Sequence, residues 1–138
     1  MVLNIYSDGG ARGNPGPAAA AFVATNEKGE KIFDYGHYLG ESTNNIAEYS
    51  ALYMAMKWLR KYASKEKVTS VVFHLDSELV VKQLNGIYKI KNANLKNLYD
   101  RIQTVKEGYD FAVKFVHVPR AQNKHADKLV NETLDNVA

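Results

Sequence analysis

The chain has 138 residues, of which 46% are hydrophobic and 24% charged, and it contains no cysteine. This length and composition fit one globular domain with its own buried core. The lack of cysteine excludes disulfides and thiolate metal sites, so any metal site must use oxygen or imidazole ligands. The formal net charge of +3 and the pI near 9.0 fit a polyanionic partner, although an ordinary basic protein has the same values.

Targeting signals are not visible in the sequence. The first residues lack the basic stretch and apolar core of a signal peptide, and the apolar runs are far too short to span a bilayer. We therefore expect a cytoplasmic protein with no membrane partner.

The first half of the chain predicts three strands and a helix. Residues 2–8 form the first strand, and Ala18–Asn26 and Lys31–Leu39 form two more. Glu27-Lys28-Gly29-Glu30 is typical of a hairpin turn between the second and third strands. Residues 45–63 then have the periodicity of a long helix.

The second half alternates strands and helices. It predicts a buried strand at Val68–Leu75, a short helix at Ser77–Leu84, a helix at 94–107, a strand at Phe111–Val118 and a helix at Asn123–Leu134. An antiparallel meander followed by alternating elements predicts an α/β protein whose mixed sheet carries helices on its faces.

Two acids are predicted at the same edge of this sheet. Asp8 follows the first strand and Asp76 follows the fourth, and sites in such folds form beyond the carboxyl ends of parallel strands. Each has a simpler explanation, because Asp8 before Gly9-Gly10 suits an ordinary turn and Asp76 suits a helix cap, although Ser77 can also provide that cap.

Two further acids lie near predicted helix starts. Glu48 begins the apolar stripe formed by Leu52, Ala55, Leu59 and Tyr62, where a carboxylate is costly unless a cation compensates its charge. The alternative is a capping box in which Glu48 bonds back toward Asn45. Asp127 falls in the first turn of the last helix, where the helix dipole alone favours an acid.

Clustered carboxylates repel one another, and divalent cations relieve that repulsion. Hard oxygen ligands favour Mg²⁺ or Mn²⁺ over zinc. Two such ions, roughly 3.5–4 Å apart, are able to activate a water and stabilise a leaving oxygen on phosphorus. The acids therefore favour a metal-dependent enzyme acting on a phosphodiester backbone.

Four motifs in order make the chain resemble the type 1 ribonuclease H family over nearly its whole length. They are Tyr6-Ser7-Asp8-Gly9-Gly10 with Gly13-Asn14-Pro15-Gly16-Pro17, Thr43-Asn44-Asn45-Ile46-Ala47-Glu48, Leu75-Asp76-Ser77, and Asn123-Lys124-His125-Ala126-Asp127-Lys128-Leu129. The resemblance implies a five-stranded mixed sheet of order 3-2-1-4-5 and one catalytic domain over residues 1–138. It also implies a monomer that hydrolyses the RNA strand of RNA/DNA hybrids with two Mg²⁺ ions, leaving a 5′-phosphate and a 3′-hydroxyl.

The resemblance also implies roles for individual residues. Asp8 would bridge the two metals, Glu48 and Asp76 would hold the first ion, and Asp127 would help to hold the second. The nucleic-acid-binding positions are Gly9, Arg12, Asn14, Thr43, Asn44 and Asn45. Amide side chains suit this role, because they both donate to and accept from a 2′-hydroxyl and minor-groove base edges. The alternative for the Thr43-Asn44-Asn45 run is simple helix capping.

The sequence departs from the family pattern in two places. Many bacterial members carry a histidine in the loop before the last catalytic aspartate, whereas Arg120 stands nearest that position here. Arginine stays protonated and cannot act as a neutral base, but it can hold a phosphate. The segment Leu84–Asn94 is also short, which resembles the branch without the basic handle or a hybrid-binding domain. We therefore expect weaker hybrid binding than in members with a handle.

Three other interpretations remain open from the sequence. A non-catalytic module that binds hybrids or double-stranded RNA is one, although none of the four carboxylates is missing. Cleavage of double-stranded RNA is another, because A-form RNA also presents 2′-hydroxyls in its minor groove. The third is that the chain is one domain of a retroelement polyprotein. We expect a free-standing protein instead.

Overall fold

The computed structural model describes residues 1–137. Its strands are β1 Val2–Ala11, β2 Gly16–Thr25, β3 Lys31–Ser42, β4 Ser70–Leu75 and β5 Ala112–His117. Its helices are α1 Asn44–Ala63, α2 Glu78–Leu84, α3 Ala93–Glu107 and α4 Lys124–Val137, and a single 3₁₀ turn spans Arg120–Gln122. The predicted order of elements is confirmed, with boundaries that differ by a few residues.

The five strands form one mixed sheet in the order β3-β2-β1-β4-β5. The meander β1-β2-β3 is antiparallel, whereas β4 runs parallel to both β1 and β5. This arrangement confirms the expected α/β class and strand order. It places the carboxyl ends of β1 and β4 side by side in the centre of the sheet.

The sheet is covered unequally on its two faces. On one face, Leu3 and Ile5 of β1 and Phe73 of β4 are fully buried with Leu52 and Met56 of α1. Each such side chain contributes about 2 kcal/mol by leaving water. On the other face, the small side chains of β2 let α4 pack closely, and this second cluster consists of Ala19, Ala21, Val130 and Leu134.

The prediction that β1 stops at Asp8 is wrong. Antiparallel pairing with β2 continues as far as Ala11, so Gly9 and Gly10 are strand residues and not part of the turn. The turn itself lies between Arg12 and Gly16, where Gly13 has a φ of 102° that favours glycine. The glycines of this segment suggested a turn that starts directly after Asp8. Only Gly13 adopts a turn conformation that favours glycine, whereas Gly9 allows the close packing described below.

The capping box suggested for Asn45 and Glu48 is also wrong. Thr43 is the N-cap of α1, and its Oγ1 accepts a hydrogen bond from the backbone N–H of Ile46. Glu48 therefore lies more than one turn into the helix and cannot reach back to the cap. Its carboxylate is left to face the neighbouring strands.

Within residues 1–137, no helix has the length and apolar character needed to cross a membrane.

Candidate active site

Asp8 and Asp76 lie beside each other because two strand pairings end at different places. The parallel ladder between β1 and β4 stops at the pair Ser7 and Leu75, while β1 itself continues along β2. Asp8, within β1, and Asp76, directly after β4, are thus the first residues beyond the parallel ladder. Ser77, and not Asp76, caps α2 by accepting a hydrogen bond from the N–H of Val80, so Asp76 is free for another role.

Glu48 reaches this edge because α1 lies unusually close to β1. A Cβ atom added to Gly9 would overlap the backbone of Ala47 and Glu48, which only a glycine avoids. Gly9 is buried, so its contribution is the space that it leaves for α1. Helix α1 therefore places the Glu48 side chain next to the carboxyl end of β1.

Asp8, Glu48 and Asp76 form a group whose carboxylate oxygens lie within 4.8 Å of one another. Within the described residues, Asp127 does not belong to this group. Oxygen atoms at this separation converge well enough to bind one cation in common, and hard carboxylate ligands suit Mg²⁺ or Mn²⁺. The donor set therefore fits a divalent metal ion.

The electrostatics of the group agree with this fit. Burial, followed by repulsion from Asp76, Asp127 and Glu48, raises the pKa of Asp8 to about 8. Burial also raises the pKa of Glu48 to about 7, with Asp76 adding to the increase, while the Ser77 hydroxyl and the Arg120 guanidinium oppose it. A bound cation would offset both the burial and the repulsion, and would hold these carboxylates in their charged form.

Asp127 and Arg120 line an open cavity together with two members of this group. The cavity has a volume of about 350 Å³, and Asp8 and Glu48 form part of its wall. Asp127 enters from the first turn of α4, and the exposed Arg120 enters from the 3₁₀ turn that precedes it. The fourth carboxylate and the arginine thus share a space with two members of the group.

Asn123 is a site residue for which the sequence alone indicates no individual role. Its side chain is 1% exposed, and Nδ2 donates both to the backbone oxygen of Ser7, at 2.8 Å, and to Oδ2 of Asp76, at 3.2 Å. Its backbone oxygen accepts from the N–H of Asp127, at 3.1 Å. Asn123 thereby joins β1, Asp76 and the start of α4. Its sequence signal was its place at the start of the fourth motif, four residues before Asp127.

The polar residues predicted to bind nucleic acid form a network at the start of α1. Oδ1 of Asn14 accepts from the N–H of Asn44, at 3.0 Å, and Oδ1 of Asn44 accepts from the N–H of Ala11, at 2.9 Å. Both asparagines therefore use an oxygen to tie the β1–β2 turn to α1. Thr43 serves as the helix cap, so the capping interpretation holds for that residue, while Asn45 is half-buried on the first turn of α1.

Arg12 is engaged with α4. Its guanidinium donates to the carboxylate of Asp135, at 2.7 Å, and to the backbone oxygen of Asn131, at 3.4 Å. Both side chains of the ion pair are largely exposed, so the pair is weak. Arg12 nevertheless lines the same cavity as Asp8, Glu48 and Asp127.

Comparisons with known proteins identify relatives of the whole chain. Residues 6–133 match the family model described as reverse transcriptase-like. The chain is 37% identical over 134 residues to ribonuclease HI of Halobacterium salinarum, in an alignment that covers 97% of this chain and 65% of that protein. It is 36% identical over 139 residues to a bifunctional protein of Mycobacterium tuberculosis, of which it spans 37%.

Among solved structures, the chain superposes on LC11-RNase H1, a protein isolated from compost and crystallised in complex with an RNA/DNA hybrid. The TM-score is 0.93 at 44% sequence identity, and the match covers 98% of each chain. The fold, the converging carboxylates and these relatives lead to one conclusion: the chain belongs to the type 1 ribonuclease H family.

Proposed function

We propose that this chain is an endoribonuclease that hydrolyses the RNA strand of RNA/DNA hybrids and leaves 5′-phosphate and 3′-hydroxyl ends. The observation that carries the proposal is the group formed by Asp8, Glu48 and Asp76, whose oxygens converge within 4.8 Å at the edge of an open cavity. Helices α1, α2 and α4 pack on the sheet and α3 packs on α1, which supports a single catalytic domain over the 138 residues.

Mg²⁺ is the proposed metal, with two ions per site and Mn²⁺ as a substitute. Asp8, Glu48 and Asp76 would hold the first ion, and Asp8 and Asp127 would help to hold the second. When bound, the ions supply the positive charge that stabilises the phosphorane-like transition state of an in-line displacement on phosphorus. The position of Asp127 outside the group of three is consistent with a separate second ion.

The chain's own residues hold and orient the reacting groups. Arg120 carries a permanent charge on the cavity wall and would contact a phosphate of the RNA strand. Burial of Asp8 and Asn123 fixes the carboxylates before the substrate arrives, because their positions depend on strand pairing and hydrogen bonds and not on exposed rotamers.

Substrate recognition is proposed to use the asparagines at the start of α1. Asn14 and Asn44 each use Oδ1 within the protein, and neither Nδ2 has a hydrogen-bond partner among residues 1–137. These amide groups would donate to 2′-hydroxyls and base-edge acceptors of the minor groove, which occur in every sequence. We therefore propose recognition of the hybrid by its shape and its 2′-hydroxyls, with double-stranded RNA as a second candidate substrate.

The test is cleavage of an end-labelled RNA/DNA hybrid with Mg²⁺ or Mn²⁺, run beside double-stranded RNA and double-stranded DNA. The control is Asp76→Asn, which removes one metal-binding charge at nearly constant shape. We expect the native chain to cut the RNA strand of the hybrid and the variant to lose this activity while still binding the hybrid.

The outcomes separate the competing functions. Cutting of double-stranded RNA at a similar rate would extend the substrate class, whereas cutting of double-stranded DNA would contradict recognition through 2′-hydroxyls. Hybrid binding without cleavage, under both metals, would replace the enzyme proposal with a non-catalytic binding module.

A further inference from the structure

A buried hydrogen bond joins α1 to α2 at the residue that directly follows Glu48. The hydroxyl of Tyr49 donates to Oε1 of Gln83 at 2.6 Å. Tyr49 is completely buried and Gln83 is 8% exposed, so both polar groups lie inside the protein. Buried polar groups are costly unless they are paired, and here the hydroxyl and the amide oxygen satisfy each other.

The surrounding core does not require this polar pair. Tyr49 belongs to the same apolar cluster as Val80 and Leu84 of α2, and a phenylalanine and a leucine would fill the two positions with similar volumes. Such side chains would not supply direction, because apolar contacts let one helix slide along another. A hydrogen bond weakens steeply as its distance and angle change. The pair therefore defines where α2 lies along α1.

The same two helices meet a second time at the candidate metal site. Ser77 is the N-cap of α2, and its hydroxyl lies close enough to the Glu48 carboxylate to oppose the rise in the pKa of that group. Gln83 lies six residues beyond Ser77, which is roughly 9 Å along the axis of α2. A single contact would leave α2 free to pivot, whereas two contacts at this separation fix both its position and its direction.

Each helix is continuous with a candidate metal ligand. Glu48 precedes Tyr49 on α1, and Asp76 lies two residues before the first residue of α2. Because a hydrogen-bonded helix moves as a unit, a shift of α1 relative to α2 changes the distance between the two carboxylates. The oxygens of the group converge within 4.8 Å, and a hard cation binds oxygens at only about 2.0–2.6 Å. Small shifts therefore decide how well one cation is shared.

We propose that Tyr49 and Gln83 are positioning residues whose buried hydrogen bond sets the separation of the Glu48 and Asp76 carboxylates, and with it the affinity for the first divalent cation. Neither residue belongs to the group of converging carboxylates, and both act through the helices next to the ligands. This inference rests on the proposed metal site and adds a determinant of metal affinity that lies outside it.

A purely structural role of the pair makes a different prediction. If the hydrogen bond only stabilised the core, metal affinity would change in parallel with stability. If it positions the ligands, metal affinity falls whenever the bond is lost, even where stability recovers. Removing both partners separates the two roles, because one buried polar group left unpaired is costly, whereas replacing both partners by apolar groups is nearly neutral.

The test compares Tyr49→Phe, Gln83→Leu and the double variant. Each single variant leaves one buried polar group unpaired, so its melting temperature should fall by several degrees, and the double variant should recover most of this loss. Calorimetric titration with Mn²⁺, at a temperature where circular dichroism shows every variant to be folded, measures metal affinity. We expect it to fall at least about fivefold in each single variant and to stay low in the double variant.

Tyr109→Phe is the matched control. The Tyr109 hydroxyl also donates to α1, at the backbone oxygen of Met56, which lies about two turns beyond Tyr49. This variant should lower the melting temperature and keep the native Mn²⁺ affinity. In hybrid cleavage, the variants of the pair should need at least about fivefold more Mg²⁺ for half-maximal rate, with little change in KM for the hybrid. Tyr109→Phe should show the native Mg²⁺ requirement.

Three results would overturn the positioning role while leaving the proposed metal site intact. They are native Mn²⁺ affinity in Tyr49→Phe, an equal loss of affinity in Tyr109→Phe, and affinity that recovers with stability in the double variant. The last result would assign the pair to the core alone. If the native chain itself bound no Mn²⁺, the proposed metal site would be wrong, and the positioning role with it.

Discussion

Asn123 and Asp76 are 47 residues apart in the chain, yet Nδ2 of Asn123 donates to Oδ2 of Asp76 at 3.2 Å. The same Nδ2 also donates to the backbone oxygen of Ser7, at 2.8 Å. One buried amide thus fixes a candidate metal ligand to the strand that carries Asp8. The orientation of Asp76 depends on this contact, because its own neighbour Ser77 is occupied in capping α2.

Replacing Asn123 by alanine should loosen Asp76 and leave the buried carbonyl of Ser7 without a donor. We expect a loss of roughly 1–3 kcal/mol in the free energy of unfolding and weaker Mg²⁺ binding. The turnover number should fall about tenfold or more, with a smaller change in KM. Calorimetric Mn²⁺ titration and cleavage kinetics measure the two effects. Asn136→Ala, at an exposed position of the same helix, is the control, and an equal effect of both changes would contradict the positioning role.

Replacing Asp8 by asparagine should stabilise the metal-free protein at high pH. Burial and the repulsion from Asp76, Asp127 and Glu48 raise the pKa of Asp8 to about 8 in the folded state, from 3.8. The folded state therefore binds the proton more tightly than the unfolded state, and stability falls as the pH rises from about 4 to about 8. The Asp8→Asn variant does not show this decrease in the free energy of unfolding, which is on the order of a few kcal/mol in the native chain.

Thermal melts in a chelator at pH 5 and at pH 8 measure this difference. The variant should melt at a higher temperature than the native chain, and this difference should be larger at pH 8. Saturating Mg²⁺ should reduce the difference, because it stabilises only the native chain. Asp110→Asn, at an exposed position, should show neither behaviour. If Asp8→Asn were less stable than the native chain at pH 8, the charged Asp8 side chain would not be destabilised by burial and by its acidic neighbours.

Replacing Gly9 by alanine should disrupt the contact between β1 and α1. The added Cβ would overlap the backbone of Ala47 and Glu48, which cannot move as a flexible side chain does. We expect a loss on the order of several kcal/mol in the free energy of unfolding, together with misplacement of Glu48 and loss of cleavage.

Gly10→Ala is the matched control for this change, because its Cβ would meet only a side-chain atom of Val130 at an ordinary 3.8 Å. Chemical denaturation of the two variants compares them directly. Similar stability of both would indicate that the approach of α1 to β1 does not require a glycine at position 9.

Replacing Asp135 by asparagine should strengthen hybrid binding. The Asp135 carboxylate pairs with Arg12 at 2.7 Å and neutralises one of the cations that line the active-site cavity. Removing this charge should free Arg12 for a phosphate, with an increase in affinity of about threefold at low salt and a steeper dependence on salt.

Fluorescence anisotropy with a labelled hybrid and catalytically inactive Asp76→Asn protein measures this effect without cleavage. Arg12→Ala in the same background should weaken binding and remove the benefit of Asp135→Asn. Glu132→Gln is a charge-matched control on α4, since Glu132 pairs with Lys128 and not with Arg12. An equal gain from Glu132→Gln would attribute the result to net charge alone.

The sequence by itself determined the order of the elements and the mixed sheet, and it singled out Asp8, Glu48 and Asp76, which the structure brings together. These follow from local signals, because apolar periodicity, helix caps and turn residues act over a few neighbouring positions. The motif around Asp8, together with those around Glu48, Asp76 and Asp127, was specific enough to indicate the family.

Only the tertiary structure decided which contacts join these elements. Periodicity does not reveal that the β1–β4 ladder ends before β1 does, or that Gly9 is needed for the approach of α1. The hydrogen bonds from Asn123 to Asp76 and from Tyr49 to Gln83 also arise from packing between remote segments. Such relationships depend on distances between elements, and a pattern of residue types along one chain does not contain them.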